Sequence, residues 1–398
     1  MFSRIILLLL TWQSCFSPEK QIVAEKNWRN YVKLLIFISS HGPMAHVGTS
    51  VCRMIKLVFA KNTIAGLIFA FVSWHCLAVD DEAAFNQWLN ELKNEAIKRG
   101  FDANLVQSAL GNAKPIKRVL KSDRAQPEFK ETYQQYINKR VSSWRIRKGR
   151  QYLDKHGAAM MTVVEHYGVP ARFIAAIIGV ETNYGSVELK QATFDALVTL
   201  AYDSRRGARF RKEIFAALEI VQKQNVIDVN DFKSSWAGAL GIPQFMPTTF
   251  LSFAVDFDKD GDKDIWTHGP DLWALVANYL SHYDWDANQT WARKVMLPRK
   301  GMHALENDKE NKVALPKACQ HYKKHLQGWR HLSDWTESGV MRMNGVRLPD
   351  VVIPASLLIT ERSYLHGYLV YNNFCSLMRY NPSFKYALSV GVLADALK

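Results

Sequence analysis

The sequence has few cysteines, few glycines and prolines, and no apolar run long enough to span a membrane. Five cysteines in 398 residues exclude a disulfide-stabilised miniature scaffold. The 21 glycines and 13 prolines are too few for a collagen-like or low-complexity chain. With 48% hydrophobic and 22% charged residues, the chain can bury a real core, which excludes extensive disorder. Its length predicts two or three domains.

The start of the chain predicts export. Two short apolar runs, residues 5–10 and 34–39, fall far short of the roughly 20 residues that span a bilayer. A third run, residues 64–72, follows a basic segment that begins at Met54 and precedes small residues that end at Ala78. This order is typical of a secretory signal peptide. We therefore predict translation from Met54 and cleavage after Ala78.

Two alternatives to cleavage stay open. In the first, the third apolar run remains as an uncleaved membrane anchor. In the second, Cys76 carries a lipid, although the bulky Trp74 and His75 stand where small residues belong. In the leading interpretation, residues 1–78 are an upstream extension and a signal peptide.

The net charge of +14 is unevenly distributed. Residues 1–78 hold 8 Lys and Arg against 2 Asp and Glu, and the remaining residues hold 43 against 35. A moderately basic body suits an acidic polymer, an anionic lipid surface or nucleic acid about equally. The densest basic stretch, residues 139–150, is interpreted as a solvated helix face that rests on anionic lipid or on peptide carboxylates. Nucleic acid is therefore not an expected partner.

Cleavage after residue 78 would leave two cysteines, Cys319 and Cys375. They can pair in an oxidising compartment, but the sequence does not give the distance between them. Two buried free thiols are the favoured expectation, and a disulfide is the alternative.

The first part of the mature chain predicts helices. Apolar residues from Phe85 to Ala96 recur at i, i+3, i+4 and i+7, with polar residues opposite. A second helix is expected near residues 105–110 and a third over 133–152. Residues 79–160 are therefore assigned to a helical N-terminal domain.

Helices continue over residues 158–226, with a break at Gly168-Val169-Pro170 where proline favours a new helix start. Residues 161–290 are assigned to a central domain. The following segment, 291–370, contains two β-rich runs and an Asn344-Gly345 pair that is typical of a hairpin turn. This segment is predicted to form a small β-rich module.

The chain returns to helix at its end. Asn381 is expected to cap a last helix with Pro382 in its first turn. Residues 371–398 are therefore assigned to the helical body. The predicted fold class is mainly α (α+β), a helical body with a small inserted β-rich module.

Glu181, in AIIGVETNYG, is the first candidate for chemistry. It lies at the last turn of an apolar helix that Asn183 and Gly185 end. The negative end of the helix dipole and apolar neighbours both disfavour the ionised carboxylate, which predicts a raised pKa. A general acid needs this environment near neutral pH. The alternative is a solvated glutamate at a helix end.

Residues 234–247, SSWAGALGIPQFMP, form the second candidate. Gly238 and Gly241 allow close approach of the backbone to a ligand or to another helix. Gln244 offers an amide beside Phe245 and Met246, one polar group on an apolar floor. The alternative is a glycine-rich turn that only packs helices.

An acidic loop forms the third candidate. Aspartates occupy positions 1, 3, 5, 7 and 9 of a loop that starts at Asp256, and Gly261 occupies position 6. This is the spacing of an EF-hand calcium loop, although position 12 is Thr267 instead of glutamate. A structural calcium ion of modest affinity is predicted, with a solvated acidic turn as the alternative.

GVETNYG, followed some fifty residues later by AGALGIPQFMP, resembles the lytic murein transglycosylases. The QFMP form followed by an acidic loop is similar to the membrane-bound lytic murein transglycosylase B branch. The resemblance runs from about Ala83 to the C-terminus and includes RYNPSFKYA in the expected order. It implies a lysozyme-like helical core, a helical N-terminal domain and a small β-domain.

The resemblance also implies roles for matching residues. Glu181 matches the single catalytic acid/base. The residues that match sugar-site and cleft positions are Ser235, Gln244, Phe245, Met246, Tyr279, Tyr380, Asn381 and Tyr386. Asn381 as a mere helix cap and Tyr279 as mere core stay open. The family draws its last metal ligand from beyond the loop, so the implied calcium ligands are Asp256, Asp258, Asp260, Asp262 and Asp271.

The implied reaction is non-hydrolytic cleavage of the MurNAc-β-1,4-GlcNAc bond to give 1,6-anhydroMurNAc ends. Hydrolytic glycosidases need two carboxylates, and nothing in the sequence places Glu188 or Asp195 opposite Glu181. A lysozyme-type hydrolase and a non-catalytic peptidoglycan-binding protein are the rivals.

The resemblance implies a periplasmic enzyme with no catalytic cofactor. Peptidoglycan glycan strands are the expected partner, with a membrane surface or cell-wall synthesis proteins as further partners. A monomer is expected.

Overall fold

The computed structural model describes residues 82–124, 131–203, 205–223, 228–298, 305, 307–360 and 365–398. The predicted upstream extension and signal peptide lie outside these residues. Contacts divide the chain into Met1–Ala84 and a second compact unit, Phe85–Lys398, which holds nearly all of the described residues.

Helices dominate the described part of the chain. In chain order they are α1 (82–98), α2 (Ala103–Leu110), α3 (Lys117–Arg124), α4 (Tyr133–Arg140), α5 (Ser143–Tyr167), α6 (Ala171–Thr182), α7 (Thr193–Tyr202), α8 (Gly207–Lys223), α9 (Pro247–Phe253), α10 (Pro270–His282), α11 (Leu332–Glu337), α12 (Asn372–Tyr380) and α13 (Phe384–Ala396). A 3₁₀ helix covers Lys317–Tyr322. The predicted helical body is confirmed.

The strands form two sheets. They are β1 (Gln191–Ala192), β2 (Lys233–Ser234), β3 (Ala292–Met296), β4 (Arg330–His331), β5 (Met341–Arg342), β6 (Pro354–Ile359) and β7 (His366–Val370). β1 and β2 pair with each other, and the other five form an antiparallel sheet in the order β4-β6-β7-β3-β5. This sheet lies within residues 291–370, as the sequence predicts.

The prediction of one continuous helix over residues 133–152 is wrong. The structure has two helices there, because Val141 leaves the helical region at φ −116° and ψ 51° and Ser142 caps the next helix by accepting from Arg145 N. The second of these, α5, runs to Tyr167, so the boundary expected at residue 160 lies inside a helix. Gly168 then ends α5 in the left-handed region, at φ 70°.

Helix α6 is the central helix of the body. All residues from Phe173 to Gly179 are buried, and the helix packs against α5, α10 and α13. Complete burial of each large apolar side chain on α6 contributes about 1.5–3 kcal/mol to stability relative to exposure. The burial of α6 on every side fixes the position of its C-terminal end.

The β-rich module has a core of its own. Val295, Leu297 and Leu369 pack with Trp335 of α11 on one face of the sheet. The Asn344-Gly345 turn is confirmed, with Gly345 at φ 77° and Arg342 N donating to Val346 O at 2.9 Å. The chain then returns to the helical body through α12 and α13.

Cys319 and Cys375 form a disulfide, so the favoured expectation of free thiols is wrong. The 3₁₀ helix packs against α12, which brings the two Cα atoms to 5.1 Å although 56 residues separate them along the chain. The bond joins the β-rich segment to the helical body.

The last helix begins two residues later than predicted. Ser383 is its N-cap and accepts from Tyr386 N at 3.4 Å, whereas Asn381 lies at the C-terminal end of α12. The expectation that Asn381 caps α13 is therefore wrong.

No single helix among the described residues has the length and apolar composition to cross a membrane. Helices α5 and α6 meet that test only as a pair, and they are bent by 110° at the break between them.

Candidate active site

Glu181 lies at the end of α6, as predicted. Asn183 ends the helix in the left-handed region at φ 52°, and its side chain accepts a hydrogen bond from Arg145 Nε at 3.1 Å. Tyr184 O–H donates to Arg145 O at 3.1 Å, so α5 and the end of α6 are joined twice. Arg145 thus supports the turn that follows Glu181. The other basic residues of this stretch are mostly exposed, as expected for a solvated helix face: Lys139, Arg147, Lys148 and Arg150.

The loop between β2 and α9 forms a tight, internally bonded turn. Leu240 N donates to Phe245 O at 2.7 Å, and Ser235 N donates to Ala239 O at 3.0 Å. Gly238, at φ 80°, leaves no room for a side chain, because a Cβ there would lie 2.2 Å from Leu197 Cδ2. The predicted close approach is therefore to the protein's own core, with one face of the loop left for the cleft.

This loop and the start of α9 are attached to buried elements. Thr182, next to Glu181, donates from Oγ1 to Ile242 O at 2.9 Å. The buried Glu213 of α8 accepts from both N and Oγ1 of Thr248, each at 2.9 Å. Gln244 has a positive φ of 56° and donates from Nε2 to Gly241 O at 2.8 Å. Its orientation is therefore set within the loop.

A cleft of about 920 Å³ opens beside Glu181. Its walls come from the start of α8, the loop after β2, the 3₁₀ helix and the segment that joins α12 to α13. Of the predicted site residues, those that line it are Glu181, Ser235, Gln244, Met246, Tyr380 and Asn381. Six residues from three separate parts of the chain thus meet at one cavity.

Tyr386 contacts Glu181 directly. Its buried O–H donates to Glu181 Oε1 at 2.7 Å. Burial, and then the nearby Glu181 charge, raise the pKa of Tyr386 well above its ordinary value. The phenol therefore keeps its proton and serves as a hydrogen-bond donor to the carboxylate.

Tyr380 lies on the other side of Tyr386. The two rings are stacked with centroids 6.2 Å apart, and Tyr380 O–H donates to Pro243 O at 2.6 Å. Burial and the charge of Glu181 raise its pKa as well. Tyr380 thereby connects the C-terminal segment to the loop that holds Gln244.

Three residues expected from the resemblance do not line the cleft. Phe245 and Tyr279 are buried behind Tyr380, with ring centroids 4.9 and 5.4 Å from it. Tyr279 O–H donates to Arg379 O at 2.6 Å, so it supports α12 from within the core. Tyr386 is buried too and acts through its bond to Glu181. The expectation that Phe245 and Tyr279 contact the sugar directly is therefore corrected: both support the cleft wall from behind.

Glu181 is the one carboxylate among the described residues that line the cleft. Glu188 is three-quarters exposed and pairs with Lys190 at 3.0 Å, outside the cleft lining. Asp195 lies in the first turn of α7, where burial raises its pKa, and it does not line the cleft either. No described cleft carboxylate faces Glu181.

The cleft is otherwise cationic, which no motif in the sequence predicts. Arg140, Arg206, Arg209 and Lys385 line it, together with His321 and His325. These residues come from α4, α8, α13 and the 3₁₀ helix region, so no local pattern joins them. Only Arg140 fell within a basic stretch noted in the sequence. Aromatic walls from Tyr133, Trp236 and Tyr322 were likewise missed.

The acidic loop gathers carboxylates as predicted, with one exception. Oxygen atoms of Asp256, Asp258, Asp260 and Asp271 lie within 4.8 Å of one another. The Asp262 carboxylate is not part of this group, which corrects its assignment as a side-chain ligand; an EF-hand uses a backbone carbonyl at this seventh position. Gly261, at φ 103°, makes the turn at position 6.

The residues of this loop fit a calcium ion. Asp271 is buried in the first turn of α10 and accepts from Phe257 N at 2.6 Å and Asp264 N at 3.0 Å, which fixes it beneath the loop. Burial raises its pKa, and so do the charges of Asp256 and Asp258. Four mutually repelling oxygen donors of this kind suit a hard divalent cation.

Comparisons with known proteins agree with this geometry. Residues 84–395 match the family model described as "Transglycosylase SLT domain". Membrane-bound lytic murein transglycosylase B of Escherichia coli K12 is 26% identical over 320 residues, which cover 78% of this chain and 81% of that protein.

Solved structures give the same result. SltB3 from Pseudomonas aeruginosa in complex with NAG-anhNAM-pentapeptide is 35% identical, with a TM-score of 0.69 and 79% of each chain covered. The Escherichia coli lytic transglycosylase Slt35 in complex with calcium is 27% identical, with a TM-score of 0.63, over 79% of this chain and 92% of that chain. The predicted lysozyme-like helical fold is confirmed. The chain belongs to the SLT-domain lytic murein transglycosylases, enzymes that cleave peptidoglycan.

Proposed function

We propose that Glu181 is the single acid/base of this enzyme and that the product is a 1,6-anhydroMurNAc end. The observation that carries the proposal is the isolation of Glu181 as the one carboxylate among the described cleft residues. Hydrolysis by two carboxylates requires a second group about 5–9.5 Å from the first, across the sugar. A reaction that proceeds with one carboxyl group therefore agrees best with this cleft.

In the first half of the reaction, the protonated Glu181 carboxyl donates its proton to the glycosidic oxygen between MurNAc and GlcNAc. The bond from MurNAc C1 to that oxygen breaks, and GlcNAc leaves with the proton on its O4. The 2-acetamido group of MurNAc stabilises the positive charge at C1 from the opposite face. Tyr386 O–H orients the carboxylate that Glu181 has become, at 2.7 Å.

In the second half, the Glu181 carboxylate removes the proton from the MurNAc C6 hydroxyl. The C6 oxygen attacks C1 and closes the anhydro ring, which restores the acid for the next turnover. The tethered hydroxyl has an entropic advantage over bulk water, because it is already part of the bound sugar. No water is consumed, so the summed mass of the products equals that of the substrate.

Gln244, Ser235 and Met246 would hold the sugars. Gln244 and Ser235 offer polar groups to hydroxyl and acetamido substituents, and Met246 gives an apolar surface for a ring face. Tyr380 and Asn381 close the C-terminal wall. Peptidoglycan glycan strands are the proposed partner; SltB3 is bound to muropeptide fragments in its solved complexes.

Mass spectrometry of digested sacculi tests the reaction. Wild-type enzyme should release muropeptides with anhydro ends, each lighter by one water than its hydrolytic counterpart. Glu181→Gln should release none while still binding sacculi, and Glu188→Gln, the matched exposed carboxylate, should behave as wild type. Reducing ends from the wild type would favour the lysozyme-type rival, and turnover by Glu181→Gln would remove Glu181 from the role.

We propose further that Asp256, Asp258, Asp260 and Asp271 hold a structural calcium ion. Support comes from the convergence of their oxygens and from calcium in the complex of Slt35. The ion would neutralise the four carboxylates and join the loop to the start of α10. It takes no part in the proton transfers, and no catalytic cofactor is needed.

Export to the periplasm, with the signal cleaved after Ala78, remains our proposal for the location. The relative from Escherichia coli is named membrane-bound, which agrees with a cell-envelope enzyme. N-terminal sequencing of the exported protein tests the cleavage, and a start upstream of Val79 would contradict it.

A further inference from the structure

One wall of the cleft is formed by a turn that the proposed reaction does not use. The 3₁₀ helix and the residues after it contribute His321, Tyr322 and His325 to the cleft lining. Because Cys319 in this helix is bonded to Cys375 of α12, residues 317–325 are named the disulfide-linked turn.

The disulfide-linked turn is attached to the helix that leads to Tyr380 and Tyr386. Helix α12 ends at Tyr380, whose ring stacks on Tyr386, the donor to Glu181. Cys375 lies five residues before Tyr380, which is about 7 Å back along a helix that rises 1.5 Å per residue. The turn is therefore attached to α12 at a point before Tyr380, and it forms a separate part of the cleft lining.

The turn is attached to the helical body at its beginning and again through Tyr322, which is buried in the core. Ala318 N donates to Asn372 Oδ1 at 3.2 Å, Lys317 Nζ pairs with Asp284 at 2.6 Å, and both bonded cysteines are fully buried. After residue 319 the turn continues through His325 N, which donates to Tyr322 O at 2.8 Å. The disulfide is thus the covalent attachment immediately before the two cleft histidines.

The two histidines carry hydrogen-bond donors that the protein's own acids do not neutralise. Both are exposed, and in the described part of the chain neither forms an ion pair. The cleft residues Arg140 and Arg206, in contrast, pair with Glu131 and Asp123. An imidazole N–H donates to a carboxylate in either protonation state of the ring.

The charge of a peptidoglycan strand lies in its peptides, because the linked sugars are neutral and the stem peptides end in carboxylates. We propose that the disulfide-linked turn is a specificity element in which His321 and His325 bind a stem-peptide carboxylate. The Cys319–Cys375 bond acts as the positioning pair that holds the histidines at the cleft. This inference rests on the proposed function and adds the part of the substrate that is recognised away from the reacting bond.

The experiment compares kcat/KM on two substrates: glycan strands that carry stem peptides, and the same strands stripped of them by an amidase, which leaves one lactyl carboxylate on each MurNAc in place of the peptide. The readout is the kcat/KM for peptide-bearing strands divided by the kcat/KM for peptide-free strands. His321→Ala/His325→Ala should lower this ratio by about three- to tenfold, as expected for the loss of two exposed charge-assisted contacts. Lys323→Ala/Lys324→Ala is the matched control on the same turn, outside the cleft lining, and should leave the ratio unchanged.

Cys319→Ser/Cys375→Ser should lower the ratio in the same direction, which a merely stabilising disulfide would not do. If that variant fails to fold, the histidine pair alone decides. An unchanged ratio in the histidine variant would overturn the proposal, and so would an equal fall in the lysine control. Activity of the wild type on peptide-free strands tests the proposed function separately, because no stem peptide takes part there.

Discussion

Among the described cleft residues a single carboxylate lies between tyrosines and cations, whereas in the loop 256–271 four carboxylates gather within 4.8 Å. The first arrangement leaves one exchangeable proton with a defined hydrogen-bond partner, Tyr386. The second creates repulsion that a divalent cation relieves. The neighbours of an acid, more than its presence, therefore separate proton chemistry from cation binding. Changes in the cleft should therefore alter turnover, and changes in the loop should alter stability.

After Glu181→Gln, which should abolish turnover, the largest effect is expected from Glu181→Asp. The shorter side chain keeps the carboxyl group but withdraws it from Tyr386 O–H and from the glycosidic oxygen. A misplacement of about 1 Å costs on the order of 100-fold in rate, so kcat should fall by about that factor. Turnover of purified glycan strands measures it, and activity within a few-fold of wild type would contradict a geometrically fixed acid.

Tyr386→Phe should have the next largest effect. It removes the 2.7 Å bond to Glu181 and keeps the buried ring. A hydrogen bond to a charged group is worth about 1.5–3 kcal/mol, which predicts a fall in kcat of about 10- to 100-fold. Tyr371→Phe, another buried tyrosine but in the core of the β-rich module, is the control and should leave kcat unchanged. Equal kcat in the two variants would mean that Tyr386 only packs.

The acidic loop should respond in stability. Calcium should raise the melting temperature of the metal-stripped wild type by about 2–4 °C, if binding adds about 1 kcal/mol. Asp258→Asn/Asp260→Asn removes two of the four clustered carboxylates and should abolish that increase, whereas Asp262→Asn should retain it. Thermal unfolding with and without calcium measures this. If calcium changed the kcat of the wild type without changing its stability, the claim that the loop acts only on stability would be contradicted.

The smallest effect is expected at the start of α13. Ser383→Ala removes the N-cap that accepts from Tyr386 N and should lower the free energy of unfolding by about 1 kcal/mol. Denaturant titration measures it, with Ser143→Ala, an exposed serine in the first turn of α5, as the control. If the fall in kcat, expressed as a free energy, exceeds the fall in the free energy of unfolding, the cap also positions Tyr386.

Local patterns in the sequence predicted the features that depend only on residues adjacent in the chain, such as helix ends and tight turns. The apolar helix that ends at Glu181, the stop at Asn183 and the turn at Asn344-Gly345 depend on a few adjacent residues, and the structure has all three. The Ser142 cap that divides α4 from α5 is also local, but the continuous helical periodicity concealed it.

Contacts between distant segments could not be predicted in the same way. The Tyr386–Glu181 bond joins residues 205 positions apart, and the Cys319–Cys375 bond joins residues 56 apart. Resemblance brought Phe245 and Tyr279 to the right region, but whether a side chain faces the cleft or lies behind it depends on packing against Tyr380. The cationic wall was missed because its members come from four elements with no shared spacing.

The 205-residue separation between Glu181 and its phenolic partner has a consequence for biosynthesis. A ribosome completes α6 long before it adds Tyr386. A nascent chain therefore carries Glu181 without this hydrogen-bond partner, and the bond can form only after α13 has been synthesised.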